Sequence, residues 1–93
     1  MTAHAFVTLN VTDPTKLAAY REKAAEALAK HGGSVLQASP EPILLEGKSG
    51  LPQMAVVLGF PDRDSAIAWK NDPDLAEVHA LRMDSGETTI ILL

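Results

Sequence analysis

The order of hydrophobic patterns along this 93-residue chain predicts an α+β fold. Three observations carry that reading. Apolar periodicity alternates between strand and helix in the order strand, helix, strand, strand, helix, strand. Gly and Pro punctuate the junctions between those segments. The two most apolar strand candidates are the first and the third, which right-handed split crossovers place in the centre of a sheet. Together they predict a single domain over residues 1–93: a ferredoxin-like βαββαβ sandwich, with helices on one face of a four-stranded antiparallel sheet.

Each element has its own justification. His4 to Val11 is β-branched and aromatic, and its odd positions Ala5, Val7, Leu9 and Val11 are all apolar, so it reads as a strand. Thr12-Asp13-Pro14 ends it. Asp13 suits an N-cap and Pro14 the first helical position. From Pro14 to about His31, Leu17, Tyr20, Ala24, Ala27, Leu28 and His31 recur at helical spacing, with charged residues opposite. Gly32-Gly33 stops this helix. Ser34 to Ala38 is a short strand. Pro40 and Pro42 interrupt it, and Ile43 to Glu46 is expected to resume extended structure at a sheet edge. Residues 47–52 form a turn, and Gln53 to Phe60 is the most apolar strand. Asp62 caps a second helix whose buried side holds Ala66, Ile67 and Trp69. Asn71-Asp72-Pro73 breaks it and starts a short third helix reaching about Leu81. A turn at 84–86 leads into a last strand from Thr88 to Leu93.

Composition narrows the function classes. Acidic residues outnumber Lys and Arg by 12 to 8, a net charge of −4, so no basic excess exists to neutralise a nucleic-acid backbone. Cysteine is absent, which removes disulfides, thiolate metal sites and thiol catalysis. No apolar run is long enough to span a membrane, and Met1 to Ala5 has no basic-then-apolar leader pattern; a cytoplasmic location is expected. No nucleotide or flavin fingerprint is present, and although one His would suffice as a haem ligand nothing in the sequence supports one, so no organic cofactor is expected. The strands carry apolar residues on both faces, whereas the helices cover only one. Phe6, Val57 and part of the run from Ile90 to Leu93 are left over, and a homodimer through the open sheet face is the expected remedy.

Five residues are candidates for chemistry. The three histidines, His4, His31 and His79, have no metal-ligand spacing, so no metal site is expected. His79 and Arg82 lie three apart on one helix and project from one side. Arg82 is one of three arginines and follows apolar residues, where its planar fork suits a carboxylate from a ligand or from Glu46. Glu46 ends an apolar stretch, where a raised pKa would suit a general base. Trp69 reads as core, with an indole N–H that needs a partner once buried. Asp13 reads first as a cap.

The ordered set of Asp13 and Tyr20, His31-Gly32-Gly33, Leu45-Glu46-Gly47, Phe60-Pro61-Asp62, Ala66 and Trp69, Asp72-Pro73 and Arg82 resembles domain-of-unknown-function family 1330, over nearly the whole chain. The sequence departs from that pattern at Ser34, Lys70 and Leu75. The resemblance implies a dimeric α/β barrel, in which two ferredoxin-like sheets pair. It implies no reaction. Three functions remain in view: a dimer binding a small apolar carboxylate, a cofactor-independent oxygenase or isomerase with Glu46 or His79 as base, and a module whose role is assembly alone.

Overall fold

A computed structural model describes residues 2–48 and 50–93. Its strands are β1 (Ala3–Val11), β2 (Ser34–Ser39), β3 (Met54–Phe60) and β4 (Gly86–Leu92). Its helices are α1 (Pro14–Ala29), α2 (Arg63–Asn71) and α3 (Ala76–Asp84), with a 3₁₀ turn at Pro73–Leu75 before α3. The sheet order is β2-β3-β1-β4, and every neighbouring pair is antiparallel. The first and third strands are central, as the ferredoxin-like reading requires. The sheet is open: β2 and β4 are its edges and do not pair with each other.

Strand periodicity divides the sheet into two unlike faces. On β1, Ala3, Ala5, Val7 and Leu9 are buried beneath the helices, where Leu28, Leu58, Phe60, Ala66 and Trp69 complete the core. Phe6 points the other way and pairs in register with Val57 and Ile91. Leu36, within a β-bulge between Val35 and Gln37, lies on that open face beside Gly59. Phe6, Leu36 and Ile91 remain 39%, 54% and 52% exposed.

Helix ends follow the local chemistry. Asp13 accepts from the Thr15 and Lys16 amides, and Pro14 takes the first position of α1. The helix ends at Ala29, earlier than its apolar stripe suggests. Gly32 then takes φ +72, a left-handed turn that glycine adopts without a Cβ penalty. At the other end of the sheet, the Ser85 carbonyl accepts from both Thr12 and Asp13 amides. A Cβ on Gly86 would collide with the Asn10 carbonyl, so β1 and β4 close together there only with glycine.

Three further expectations shift. Residues Ile43 to Glu46 form no strand; Ile43 and Leu45 are exposed on an irregular loop. Pro40 and Pro42 remove two amide donors beyond the edge of the sheet, and no strand lies there to pair with. Helix α3 continues past Leu81 to Asp84, where the Ser85 hydroxyl and amide return to the carbonyls of the last turn. Strand β4 starts earlier than Thr88, at Gly86. Of the turn expected at 47–52, Ser49 lies outside the described residues.

Candidate functional site

A cavity of about 170 Å³ opens between α1 and the helix-covered face of the sheet. At ~30 Å³ per molecule it would hold roughly six waters. Val7, Leu17, Leu28, Val56, Leu58 and Ile90 supply most of an apolar wall. Tyr20, Trp69 and Arg82 line it as well, and Arg21 and Met54 stand at its margin, joined by a 3.4 Å contact from Nη2 to the thioether sulfur.

Arg82 comes from the inner side of α3, where the spacing from Leu75 through His79 to Arg82 keeps one helical stripe against the core. Only 3% of it is exposed. Its guanidinium lies 5.4 Å from the Trp69 ring centre and 5.6 Å from that of Tyr20, within cation–π range of both. Nη1 donates to His79 Nδ1 at 2.8 Å. The buried Nε has no hydrogen-bond partner. Among the described residues, no carboxylate lies within ion-pair distance of Arg82. A buried cation with no counter-charge is unfavourable by several kcal/mol in an apolar setting unless something offsets it.

The hydrogen bonds around His79 fix its tautomer. Arginine has only donors, so Nδ1 must accept. The ring proton is therefore on Nε2, which donates to the Trp69 carbonyl at 2.9 Å. Burial pushes the imidazole below its ordinary 6.5; the bond to Trp69 works against that shift, and the Arg82 charge adds to it. His79 also meets the Trp69 ring edge-on, at 4.8 Å between centres and 85° between planes. The indole Nε1 of Trp69, like Arg82 Nε, is buried with no partner. The donor that the sequence marked as needing an acceptor lacks one, and so does its neighbour across the cavity wall.

The other sequence candidates lie elsewhere. Glu46 is on the exposed loop between β2 and β3 and does not meet Arg82, because the strand expected to carry it to the sheet edge does not form. Asp13 spends its carboxylate on the N-terminus of α1. His31 and Asp72 join a separate surface cluster. Asp72 Oδ2 lies 2.8 Å from both His31 Nε2 and Lys30 Nζ, Lys30 reaches Asp74 at 3.1 Å, and Asp72 Oδ1 accepts from the Asp74 amide. Lys30 foremost, then His31, holds the Asp72 carboxyl well below the usual range, and Asp72 in turn raises Lys30. Among the described residues, no group of three or more His, Cys, Asp or Glu is arranged to hold a metal ion. No helix among them is long and apolar enough to cross a membrane.

Tyr20 is the site residue that the sequence undervalued. It belongs to the same inner stripe of α1 as Leu17 and Leu28, so it read as core. The signal was one polar aromatic within a stripe of Leu and Ala, at the level where the helix crosses the sheet.

The fold and the cavity define a ferredoxin-like α+β protein with a cation set into an apolar cleft. The chain belongs to the family "Domain of unknown function (DUF1330)", which matches residues 2–93. No curated protein matches it. Among solved structures it is similar to a protein of unknown function from Rhodopseudomonas palustris, at a TM-score of 0.80 and 15% identity, covering 99% of this chain and 80% of that one. It is similar also to a dimeric ferredoxin-like protein of unknown function from Jannaschia sp. CCS1, at 0.65 and 16%, covering 100% and 98%. A third is a mutant of SnoaB, a cofactor-independent oxygenase from Streptomyces nogalater, at 0.68 and 12%, covering 99% and 90%. At these identities the likeness establishes the fold and no activity.

Proposed function

We propose that the protein is a homodimer that binds, in the cleft of each chain, a small apolar molecule carrying a carboxylate. One observation carries the ligand reading. A buried guanidinium without a carboxylate partner and a buried indole N–H without an acceptor both belong to residues lining one apolar cavity. A ligand carboxylate would neutralise the first and is of the right kind to satisfy either donor, while its hydrocarbon part fills the space among Val7, Leu17 and Leu58. Base catalysis by Glu46 or His79 has no comparable support. Both nitrogens of His79 are engaged, and Glu46 is away from the cavity.

The dimer reading rests on the open sheet face, where Phe6, Leu36, Val57 and Ile91 form an uncovered apolar surface. The dimeric relative from Jannaschia supports it by analogy. Light scattering should give a particle of about 20 kDa, twice the 9.9 kDa chain, and Ile91→Glu should halve it. A wild-type particle of chain mass contradicts the dimer.

The ligand reading is tested with phenylacetate, cinnamate and octanoate, followed by calorimetry and by the thermal midpoint. At least one should bind and raise the midpoint by several degrees at saturation, since ligand bound only to the folded state adds RT ln(1 + [L]/Kd). The corresponding alcohols should not. Equal binding of acids and alcohols, or of neither, contradicts it.

A further inference from the structure

We infer that His79 is the positioning residue of the Arg82 site, holding the guanidinium by Nη1 so that its Nε–Nη2 edge is left for a two-oxygen anion. This rests on the carboxylate reading above and adds to it how the carboxylate is held and when it is released. A guanidinium can present an end-on edge, Nη1 with Nη2, or a side-on edge, Nε with Nη2. Nη1 is on the Cδ side and is occupied by His79 Nδ1. Nε is buried and free, and Nη2 makes no hydrogen bond among the described residues. The edge that remains is the side-on fork, whose two parallel N–H groups match the two oxygens of a carboxylate.

The same bond makes the site conditional on the protonation of His79. With Nε2–H fixed on the Trp69 carbonyl, Nδ1 accepts from Arg82 only while the ring is neutral. A second proton would go to Nδ1 and set N–H against N–H, two cations face to face in a buried space. One side chain would then have to turn away, and the fork would lose its orientation. The charges around His79 are few. Arg82 is on its own helix, Lys70 is at the end of α2, and Asp72 lies between α2 and the 3₁₀ turn, already shared by Lys30 and His31 of the segment after α1. Tyr20 of α1 lies against Arg82, and β4 sends only the uncharged Thr88, Ile90 and Leu92 toward the helices. Among the described residues, no carboxylate stands within ion-pair distance to receive Arg82 when His79 lets it go. Carboxylate affinity should therefore fall as His79 takes its second proton.

The test is the dissociation constant of whichever probe acid binds the wild-type protein, measured from pH 8 down to pH 5. Affinity should be flat above the ordinary imidazole range. Below the point where His79 takes a proton it should weaken, by up to roughly tenfold per pH unit. His79→Gln, which keeps an amide acceptor but does not titrate, should retain part of the affinity and lose the pH dependence. His79→Leu should lose most of the affinity at every pH. Nitrogen NMR of the wild-type protein, which needs no ligand, should find His79 as the Nε2–H tautomer at pH 7.5. A wild-type affinity that stays flat while the same NMR shows His79 taking a proton, the Nδ1–H tautomer, or a His79→Leu variant that binds as tightly as the wild type overturns the role of His79 and leaves the carboxylate site standing. Failure of all three acids to bind removes the carboxylate site and this role with it.

Discussion

The chain builds two clusters from the same materials near the junction of α2 and α3. In one, Lys30 and His31 meet Asp72 and Asp74 at the surface. In the other, inside the protein, Arg82 and His79 pair with no acid among the described residues. The first is balanced and at the surface: cations and carboxylates pair, Asp72 also starts the 3₁₀ turn, and the cluster fastens the end of α1 to that turn. The second is unbalanced and buried. Its histidine is a neutral acceptor, its arginine keeps a free donor, and two aromatic rings hold the cation in place of an anion. A structural cluster is expected to be complete in itself, as the first is. A buried cluster with one charge and a free donor is expected to have a partner that arrives from solution.

The contrast is sharpest for ligand affinity. Arg82→Met fills similar space without the charge, and should weaken binding of the probe acid by roughly 10–100-fold, the equivalent of about 1.5–3 kcal/mol for a charge-assisted hydrogen bond. Isothermal titration measures it. Trp69→Phe keeps a ring beside Phe60 and His79 but removes the buried indole N–H. A severalfold loss of affinity is expected, read in the same titration, as for one hydrogen bond of about 0.5–1.5 kcal/mol. Asp72→Asn should do the reverse, leaving probe affinity within twofold and lowering the thermal midpoint. The pH dependence has a definite sign. The Asp72 carboxyl is depressed from 3.8 in the folded state, so its stabilising contribution is present above that value and is lost as pH falls through the folded value. In Asp72→Asn that portion of the acid transition should disappear from midpoints recorded between pH 5 and pH 2. Lys30→Met should change least. Lys30 is exposed, and 1 M salt already screens its attraction to Asp72 and Asp74, so the variant and the wild type should converge in salt.

Much of the fold was legible because local chemistry and global pattern agree in it. Asp13-Pro14 and Asp72-Pro73 start helical segments where their cap geometry says they should. Alternation on β1 separates Val7 from Phe6, and the same alternation sends one under the helices and the other to the open face. The loop at 43–46 was misread because Ile43-Leu44-Leu45 has the composition of a strand. Composition does not reveal that two prolines have taken the segment past the edge, where no ladder remains to join. The site was legible in part for the same reason. The three-residue spacing of His79 and Arg82 is local, and one helix makes their contact. Tyr20 and Trp69 reach Arg82 from two other helices, across more than ten residues of chain in each case, and no spacing in the sequence encodes that meeting. The absence of a carboxylate beside Arg82 could not be read at all, since it depends on where Glu46 does not go.

If Arg82 serves a ligand and not the fold, as proposed, chemical denaturation of ligand-free Arg82→Met beside the wild type will show it. An arginine with no buried counter-ion contributes little net stability once its desolvation is set against its hydrogen bond and ring contacts, so the variant should unfold within about 1 kcal/mol of the wild type or above it. A loss of about 3–5 kcal/mol, the cost of breaking a buried pair that was holding the structure together, would instead make Arg82 a part of the core.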